Sequence, residues 1–318
     1  MIITLHDTET REISAKIDEL HEERGEAALG RVLTLLVSTN EEALERDLEV
    51  ANNASREHPC RVIAIAPSSR RSVPSEDGAT RSTFLDAEIR FGSDAGAGEI
   101  IVLRPRGGLV RHADTLVIPL LVPDTPVVAW WPNEAPANLS KDLLGSMASS
   151  RITDATRSSN PQRTMDDLRR NRSVKDVDMS WTRLTVWRAM IASMLDQPPY
   201  LPVSNVRVTG EKDYLPLTLL AAWLRLKLNV PVMIEEDPNV TAVTGVYLTR
   251  GDGVLSLERP STDDGFAVIS VPGQSPQTIS VPARTLEECL SEELGRLYPD
   301  EIYNEVVSQG LDLVRPAR

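Results

Sequence analysis

The sequence predicts an α/β fold, a mostly parallel or mixed sheet covered by helices, followed by an α+β domain with an antiparallel meander. In the first half, strand-like apolar runs alternate with helical segments, as in doubly wound proteins. In the second half, an apolar helix precedes short β-rich runs separated by Gly, Pro and Asp. We expect an α/β domain over residues 1–157, a polar connecting segment over 158–173 and an α+β domain over 174–318.

The elements of the first half follow from apolar runs and helix-capping signals. Five runs rich in apolar and β-branched residues predict strands over residues 31–38, 61–66, 84–91, 99–103 and 126–131. Helices are predicted over residues 9–24, from the capping box Thr39-Asn-Glu-Glu42 onward, and after Gly108 to about residue 121. Residues 68–80 are rich in Ser, Arg and Gly and are expected to form an exposed loop.

The second half begins with a polar segment that we expect to bridge the two halves as a surface helix. A strongly apolar run at residues 214–228 predicts a buried helix. Meander strands are predicted over residues 244–249, 254–258, 266–271 and 278–281. The Gly251-Asp-Gly253 turn is the clearest hairpin signal among them. A last helix is predicted over residues 285–297, capped by Thr285.

Composition narrows the classes of function. The chain has 318 residues, 41% hydrophobic and 25% charged, which suits a folded protein with two domains. Its 47 acidic and 34 basic residues give a net charge of -13, which argues against binding to nucleic acid or anionic membranes. No secretory signal is visible, and the most apolar run is too short to span a bilayer. Cys60 and Cys289 lie far apart, as expected for two buried thiols in a reducing cytoplasm.

Motifs for catalysis and metal binding are missing from the sequence. The 4 His are scattered, without the spacing of a metal site. There is no Walker A sequence, no G-x-S-x-G and no Rossmann glycine triplet after a strand. We therefore expect no catalytic residues, no metal site and no cofactor.

One loop is a candidate for anion binding. Arg104, Arg106, Gly107 and Gly108 lie between a predicted strand and a helix start. Backbone N–H groups and guanidinium groups in such a place can bind phosphate. The alternative, which we favour, is a Gly-Gly turn whose arginines are solvated or paired with carboxylates.

Trp130 and Trp131 end the fifth predicted strand, in PVVAWWP. Neighbouring side chains of a strand point to opposite faces. One ring can therefore fill the core while the other covers a loop or serves as an anchor for a partner, since exposed Trp is favoured at interfaces. The sequence leaves both interpretations open.

The segment DMSWTRLTVWRAM combines Trp181 and Trp187 with Arg183 and Arg188. If residues 180–195 form one helix, both arginines fall in its apolar arc. They then require a carboxylate, carbonyl groups or an anionic ligand, because an unpaired buried charge is very costly.

Two details of this segment stay open. Asp154 and Asp178 are candidate partners for its arginines. A second phasing of the helix uses Thr185 as the N-cap and leaves WTRL extended. Sequence physics alone does not choose between the two phasings.

Three segments together, PVVAWWP (126–132), RITDAT (151–156) and DMSWTRLTVWR (178–188), resemble the OpcA family of glucose-6-phosphate dehydrogenase assembly proteins. The order of the segments and the acidic, Cys-poor chain fit as well, over most of the length. Members of the family often carry Pro where this chain has Val186, which favours the helix start at Thr185. The residues that match the family signature are Trp130, Trp131, Arg151, Asp154, Trp181, Arg183, Trp187 and Arg188.

The resemblance implies a non-catalytic cytoplasmic protein that associates with glucose-6-phosphate dehydrogenase and promotes its assembly or activity in the oxidative pentose phosphate pathway. It implies no catalytic residues and no cofactor. We expect segment 178–188 to be a structural hinge between the two domains first and a contact to the dehydrogenase second. The alternative is an α/β enzyme or sensor that binds a phosphorylated metabolite through the Arg104 loop.

Overall fold

The protein folds as two compact units, and the chain passes between them more than once. The computed structural model describes residues 1–24, 32–68, 83–91, 98–259 and 265–314. The N-terminal unit comprises Met1–Ser159, Arg170–Val177 and Leu286–Pro299. The C-terminal unit comprises Asn160–Arg169, Asp178–Thr285 and Asp300–Arg318. Both units are thus discontinuous in sequence, whereas the predicted domain ranges are continuous. Most of the loop predicted at residues 68–80 lies outside the described residues.

The first sheet has eight strands among the described residues. They are β1 Ile2–Leu5, β2 Leu33–Ser38, β3 Cys60–Ile65, β4 Leu85–Arg90, β5 Glu99–Pro105, β6 Val127–Trp131, β7 Ser150–Thr153 and β8 Asp176–Asp178. Their order is β1-β4-β5-β3-β2-β6-β7-β8. The pairs β2–β3, β2–β6, β3–β5 and β6–β7 are parallel, and the pairs β1–β4 and β4–β5 are antiparallel. The predicted mixed sheet and its five predicted strands are confirmed.

Burial explains which strands the sequence reveals. β2 and β3 are buried along almost their whole length, so they consist of apolar runs. β4 alternates buried and half-buried side chains, which gives the period of two. β1, β7 and β8 have 4, 4 and 3 residues, too few for any period, and the sequence did not reveal them.

Helices cover the first sheet and build much of the second unit. The described α-helices are α1 Thr10–Arg24, α2 Leu44–Ala54, α3 Ala113–Val117, α4 Pro161–Arg170, α5 Met179–Thr182, α6 Thr185–Leu195, α7 Leu215–Leu228, α8 Leu286–Gly295, α9 Glu301–Glu305 and α10 Leu311–Val314. The predicted surface helix in the polar segment corresponds to α4, which buries Met165 and Leu168. The single helix predicted after Gly108 is wrong, because the short α3 lies between 3-10 turns at Gly107–His112 and Ile118–Leu120.

The start of α2 differs from the predicted capping box. Asn40 Oδ1 accepts hydrogen bonds from the backbone N–H groups of Glu42 and Ala43, at 3.0 and 2.9 Å. Thr39 instead donates its hydroxyl to the carboxylate of Asp47, at 2.6 Å. Asn40 therefore forms the turn that leads into α2, and Thr39 is bound to a buried side chain of the same helix.

The second sheet has six strands among the described residues. They are β9 Val203–Glu211, β10 Val232–Asp237, β11 Val243–Arg250, β12 Gly253–Glu258, β13 Phe266–Ser270 and β14 Gln277–Ser280. Their order is β10-β9-β11-β12-β13-β14. The run from β11 to β14 is antiparallel, which confirms the predicted meander. β10 pairs parallel with β9, and α7 is the crossover between them.

The predicted apolar helix corresponds to α7 and is the main core element of the second unit. Eight of its residues are buried, and it ends at Asn229, whose φ of 53° lies in the left-handed region. β9 and β10 flank α7 but were not predicted from the sequence, because their residues are mixed polar and apolar and β10 is largely exposed. No helix within the described ranges is long and apolar enough to cross a membrane.

Candidate functional site

Trp130 and Trp131 are both interior residues of the N-terminal unit. Their exposed fractions are 0% and 2%. Trp131 lies against the turn at Gly145, where an added Cβ would be 3.2 Å from its ring. The interpretation of one ring as an exposed anchor is therefore wrong, and the pair fills the core and covers a loop.

Arg151, within β7, and Asp154, directly after that strand, are both buried. Arg151 Nε donates to Asp176 Oδ1 at 2.5 Å, and Arg151 Nη1 donates to the carbonyl of Gly145 at 3.2 Å. Asp154 accepts from the hydroxyl of Thr156 at 2.5 Å. Arg151 therefore joins β7 to β8 and to the turn, inside a unit that excludes water from the ion pair.

A polar cluster that the sequence analysis missed lies at the carboxyl ends of β2 and β6. The strand order reverses here, because β3 lies on one side of β2 and β6 lies on the other. α/β proteins commonly bind ligands at the carboxyl ends of the strands where the order reverses. The fully buried Asp47 carboxylate accepts hydrogen bonds here from Thr39 at 2.6 Å, Asn133 at 2.8 Å and Arg157 at 3.2 Å. These side chains satisfy one another, so the cluster is a closed structural network. The sequence does contain a signal for this cluster: Asp47 lies at helical spacing from Leu44 and Ala51, on the face of α2 that points into the core.

The loop after β5 has internal counter-ions for its arginines. Arg104 pairs with Glu88 at 3.1 Å, and Arg106 pairs with Asp86 at 3.2 Å, both acids of β4. The Arg106 guanidinium also lies 4.3 Å from the ring centroid of Phe84. Gly107 adopts a φ of 59° and opens the 3-10 turn, and Gly108 donates its N–H to Thr83 at 3.4 Å. This is the arrangement of the favoured alternative, a glycine turn with paired arginines.

The signature segment 178–188 forms two short helices with a turn between them. Asp178 caps α5 by accepting from the N–H of Ser180 at 2.9 Å. Arg183 and Leu184 form the turn, and α6 begins at Thr185. Neither predicted phasing is right in full: the helix over 180–195 is interrupted, and Trp181 is helical where the second phasing has it extended. Leu184, not Thr185, is the N-cap of α6.

Trp181 is the fully buried centre of a polar and aromatic cluster. Its indole Nε1 donates to Asp300 Oδ2 at 2.9 Å. The Arg188 guanidinium carbon lies 3.8 Å from its ring centroid, and the ring of Tyr303 lies 6.1 Å away. Arg188 also donates to the hydroxyl of Thr185 at 3.1 Å. The expectation that the arginines of this segment would need partners is met for Arg188 by an aromatic face and a hydroxyl.

An arginine-lined cavity opens next to this cluster within the C-terminal unit. It is partly open, has a volume of about 80 Å³, and is lined by Arg183, Arg259 and Arg284 together with Trp187 and Tyr214. No acidic residue is among its lining residues in the described part of the chain. We call it the arginine cavity.

Arg259 is the most buried of the three arginines, with 4% of its surface exposed. Its guanidinium carbon lies 5.2 Å from the ring centroid of Trp187. Within the described residues its Nε has no hydrogen-bond partner. Burial lowers the pKa of Arg259 from its ordinary value, and the nearby Tyr214 acts in the opposite direction. The charge of Arg259 is thus desolvated, and no carboxylate of the described residues forms an ion pair with it.

The two cysteines are buried, as predicted, and no disulfide joins them. Cys60 begins β3 in the first sheet. Burial raises the pKa of the Cys60 thiol to about 12, so the thiol is protonated and unreactive at neutral pH. Within the described residues, no group of three or more His, Cys, Asp or Glu side chains is placed to hold a metal ion.

Two family models match the chain over most of its length. Both describe domains of a glucose-6-phosphate dehydrogenase subunit: the N-terminal domain matches residues 51–170, and the C-terminal domain matches residues 174–307. The chain belongs to the OpcA family of glucose-6-phosphate dehydrogenase assembly proteins. The two matched ranges include all eight signature residues, six of which are buried, while Arg183 and Arg188 are half-buried.

Other comparisons add little to the family assignment. A search of curated proteins returns no match. Among solved structures, the chain is similar to a biliverdin reductase from Synechocystis sp. PCC 6803, in complex with biliverdin and NADP+. The identity is 12%, the TM-score is 0.35, and the alignment covers 89% of this chain and 96% of the reductase.

Proposed function

We propose that this protein is a non-catalytic cytoplasmic partner of glucose-6-phosphate dehydrogenase that promotes the oligomerisation or activity of that enzyme in the oxidative pentose phosphate pathway. The observation that carries the proposal is the match of both family domains, over residues 51–170 and 174–307. The site geometry is compatible with it, because the signature residues build packed clusters instead of an exposed constellation of acids, bases and nucleophiles.

The signature residues act indirectly in this proposal. A direct contact requires exposed side chains, and Trp130, Trp131, Trp181 and Trp187 are each at most 3% exposed. Their role is to hold the backbone and the half-buried arginines in place. Substitutions at these positions should therefore weaken dehydrogenase binding through loss of local structure.

Activation requires a difference in affinity between two states of the dehydrogenase. A partner that binds the active and inactive forms equally well changes neither population. Moving a population from 1% to 99% active takes a preference of roughly 10⁴-fold. The net charge of -13 favours approach to a basic surface, so association should slow as ionic strength rises.

The test combines purified dehydrogenase with this protein at several ratios. Light scattering after gel filtration measures the mass of any complex, and initial rates measure kcat and KM. We expect co-elution and a change in either the oligomeric mass or the rate. Separate elution with unchanged mass and unchanged rates would refute the proposal.

The alternative function, metabolite binding through Arg104, Arg106, Gly107 and Gly108, has less support. Glu88 and Asp86 already neutralise these arginines. An incoming phosphate would have to displace both carboxylates. A thermal-shift screen with the Arg104→Ala/Arg106→Ala variant addresses it: stabilisation by sugar phosphates that this variant loses would restore the alternative.

A further inference from the structure

We propose that the arginine cavity of the C-terminal unit is a binding site for the doubly charged phosphate group of a small molecule, with Arg259, Arg183 and Arg284 as its cationic wall. This inference goes beyond the proposed partnership and does not depend on it. The site lies wholly within one unit, between residues 183 and 284.

The lining is strongly positive in a strongly acidic protein. Three of the residues that line the cavity are arginines, and none of its lining residues in the described chain is Asp or Glu. The whole chain carries 47 acidic and 34 basic residues, so the positive charge of this lining is opposite in sign to the net charge of the protein. Guanidinium groups match phosphate oxygens with paired N–H donors. The lining of the cavity therefore suits an anion.

The buried charge of Arg259 is the observation that points to a ligand. Arg259 is 4% exposed and has no carboxylate partner within residues 1–24, 32–68, 83–91, 98–259 and 265–314, and such a buried charge is costly to keep inside a protein. The other buried arginines that the structure describes have carboxylate partners, as Arg151 has Asp176. Arg259 instead has an unsatisfied Nε, an aromatic neighbour and a cavity. A bound anion would supply the missing counter-charge.

The neighbouring groups hold the cavity wall in place without closing it. Arg284 Nη1 donates to the carbonyl of Thr182 at 3.0 Å, which fixes that guanidinium at the cavity edge. Trp187 lies near the Arg259 guanidinium, and the backbone N–H of Arg259 donates to the carbonyl of Thr244 at 2.7 Å. These contacts pre-organise the wall, so little side-chain entropy is lost on binding.

The volume fits a phosphate group and not a large cofactor. One water requires on the order of 15 Å³ of such volume. The cavity of about 80 Å³ thus has room for roughly five water-sized groups. That is the size of a phosphate with its oxygens. Apolar lining residues, among them Pro216 and Val243, can contact the carbon atoms of an ester.

The experiment follows thermal unfolding of the full chain at pH 7.5 with increasing inorganic phosphate or glycerol 1-phosphate, at constant ionic strength. At one hundred times Kd, the Tm of the wild type should rise on the order of 5 °C. An equal rise with both compounds assigns the site to the free anion, and a larger rise with glycerol 1-phosphate assigns it to an ester.

Two substitutions of Arg259 and one control make the test specific. Arg259→Met should abolish the phosphate-dependent rise while leaving the Tm without phosphate unchanged or higher, because an uncompensated buried charge is removed. Arg259→Lys keeps the charge but loses the paired donors, so the apparent Kd should increase about tenfold. The control Arg163→Met removes an arginine whose side chain is 81% exposed, and its phosphate response should match the wild type.

Two results would overturn the proposal. One is a wild-type Tm that does not respond to either compound at constant ionic strength. The other is a phosphate response in Arg259→Met equal to that of the control, with circular dichroism confirming that both variants are folded.

Discussion

Replacing Trp181 by Phe removes the indole N–H that donates to Asp300 but leaves an aromatic ring beneath Arg188. The lost hydrogen bond, 2.9 Å long, has a carboxylate acceptor. Hydrogen bonds to charged groups contribute about 1.5–3 kcal/mol. Trp181 is 0% exposed, so the smaller ring also leaves a void, which adds roughly 1 kcal/mol. We expect the free energy of unfolding of the variant to fall by about 2–4 kcal/mol.

Urea unfolding followed by circular dichroism measures this loss without relying on Trp fluorescence. The matched control is Trp187→Phe in the same segment. Trp187 is 3% exposed, but its indole nitrogen has no hydrogen bond within the described residues. The control should therefore lose only the volume contribution, about 1 kcal/mol.

A double-mutant cycle with Asp300→Asn isolates the contact itself. In the wild type, Asp300 Oδ1 accepts from the N–H of Tyr303 at 2.8 Å, and the amide oxygen of Asn can still do so. The amide NH2 group of Asn would then face the indole, and it cannot accept a hydrogen bond as Asp300 Oδ2 does. The coupling energy between positions 181 and 300 should be about 1 kcal/mol or more. Equal losses in the two Trp variants, or a coupling energy near zero, would contradict the assigned role of the Trp181–Asp300 hydrogen bond.

Two further predictions concern the N-terminal unit. Gly145→Ala should destabilise this unit by about 2–4 kcal/mol, because the new Cβ would lie 1.9 Å from the carbonyl oxygen of Leu139. The control is Gly251→Ala, whose new Cβ would have nothing within 4 Å. Equal urea midpoints for the two variants would contradict the steric argument. The Cys60 thiol has a pKa raised from 9.0 to about 12, so its contribution to stability is complete below pH 9 and is lost as the pH rises toward 12. The free energy of unfolding of the wild type minus that of Cys60→Ala should fall by about 2 kcal/mol between pH 9 and 10.5, and a constant difference would exclude the raised pKa.

Local patterns in the sequence predicted the core strands and the long apolar helix. β2 and β3 are buried almost throughout, and eight of the 14 residues of α7 are buried, so hydrophobicity alone identifies these elements. β9 and β10 are different, since their pairing depends on a crossover through α7 and their residues alternate irregularly in polarity. Such strands are defined by their neighbours in space, which a single sequence does not contain.

The sequence predicted which types of residue build the candidate sites, but it did not predict which residues they contact. The sequence indicated that arginines near Trp181 and Trp187 must be satisfied, and it named Asp154 and Asp178 as candidates. The hydrogen bond from the Trp181 indole to Asp300, 119 residues away, was not predicted, and neither was the arginine cavity, which joins Arg183 to arginines of two distant loops. Contacts at that separation depend on the complete fold. Asp47, by contrast, was detectable, because helical spacing puts it on the same face as Leu44 and Ala51.

The discontinuity of the N-terminal unit has a consequence for synthesis on the ribosome. Its last segment, Leu286–Pro299, follows the greater part of the C-terminal unit in the chain. There α8 packs on α2, and Ser291 donates to Glu57 at 2.6 Å. The N-terminal unit thus lacks its α8 helix until residues 286–299 have been translated. A nascent chain released before that point exposes the surface of α2 that α8 covers, which makes premature termination an aggregation hazard for this protein.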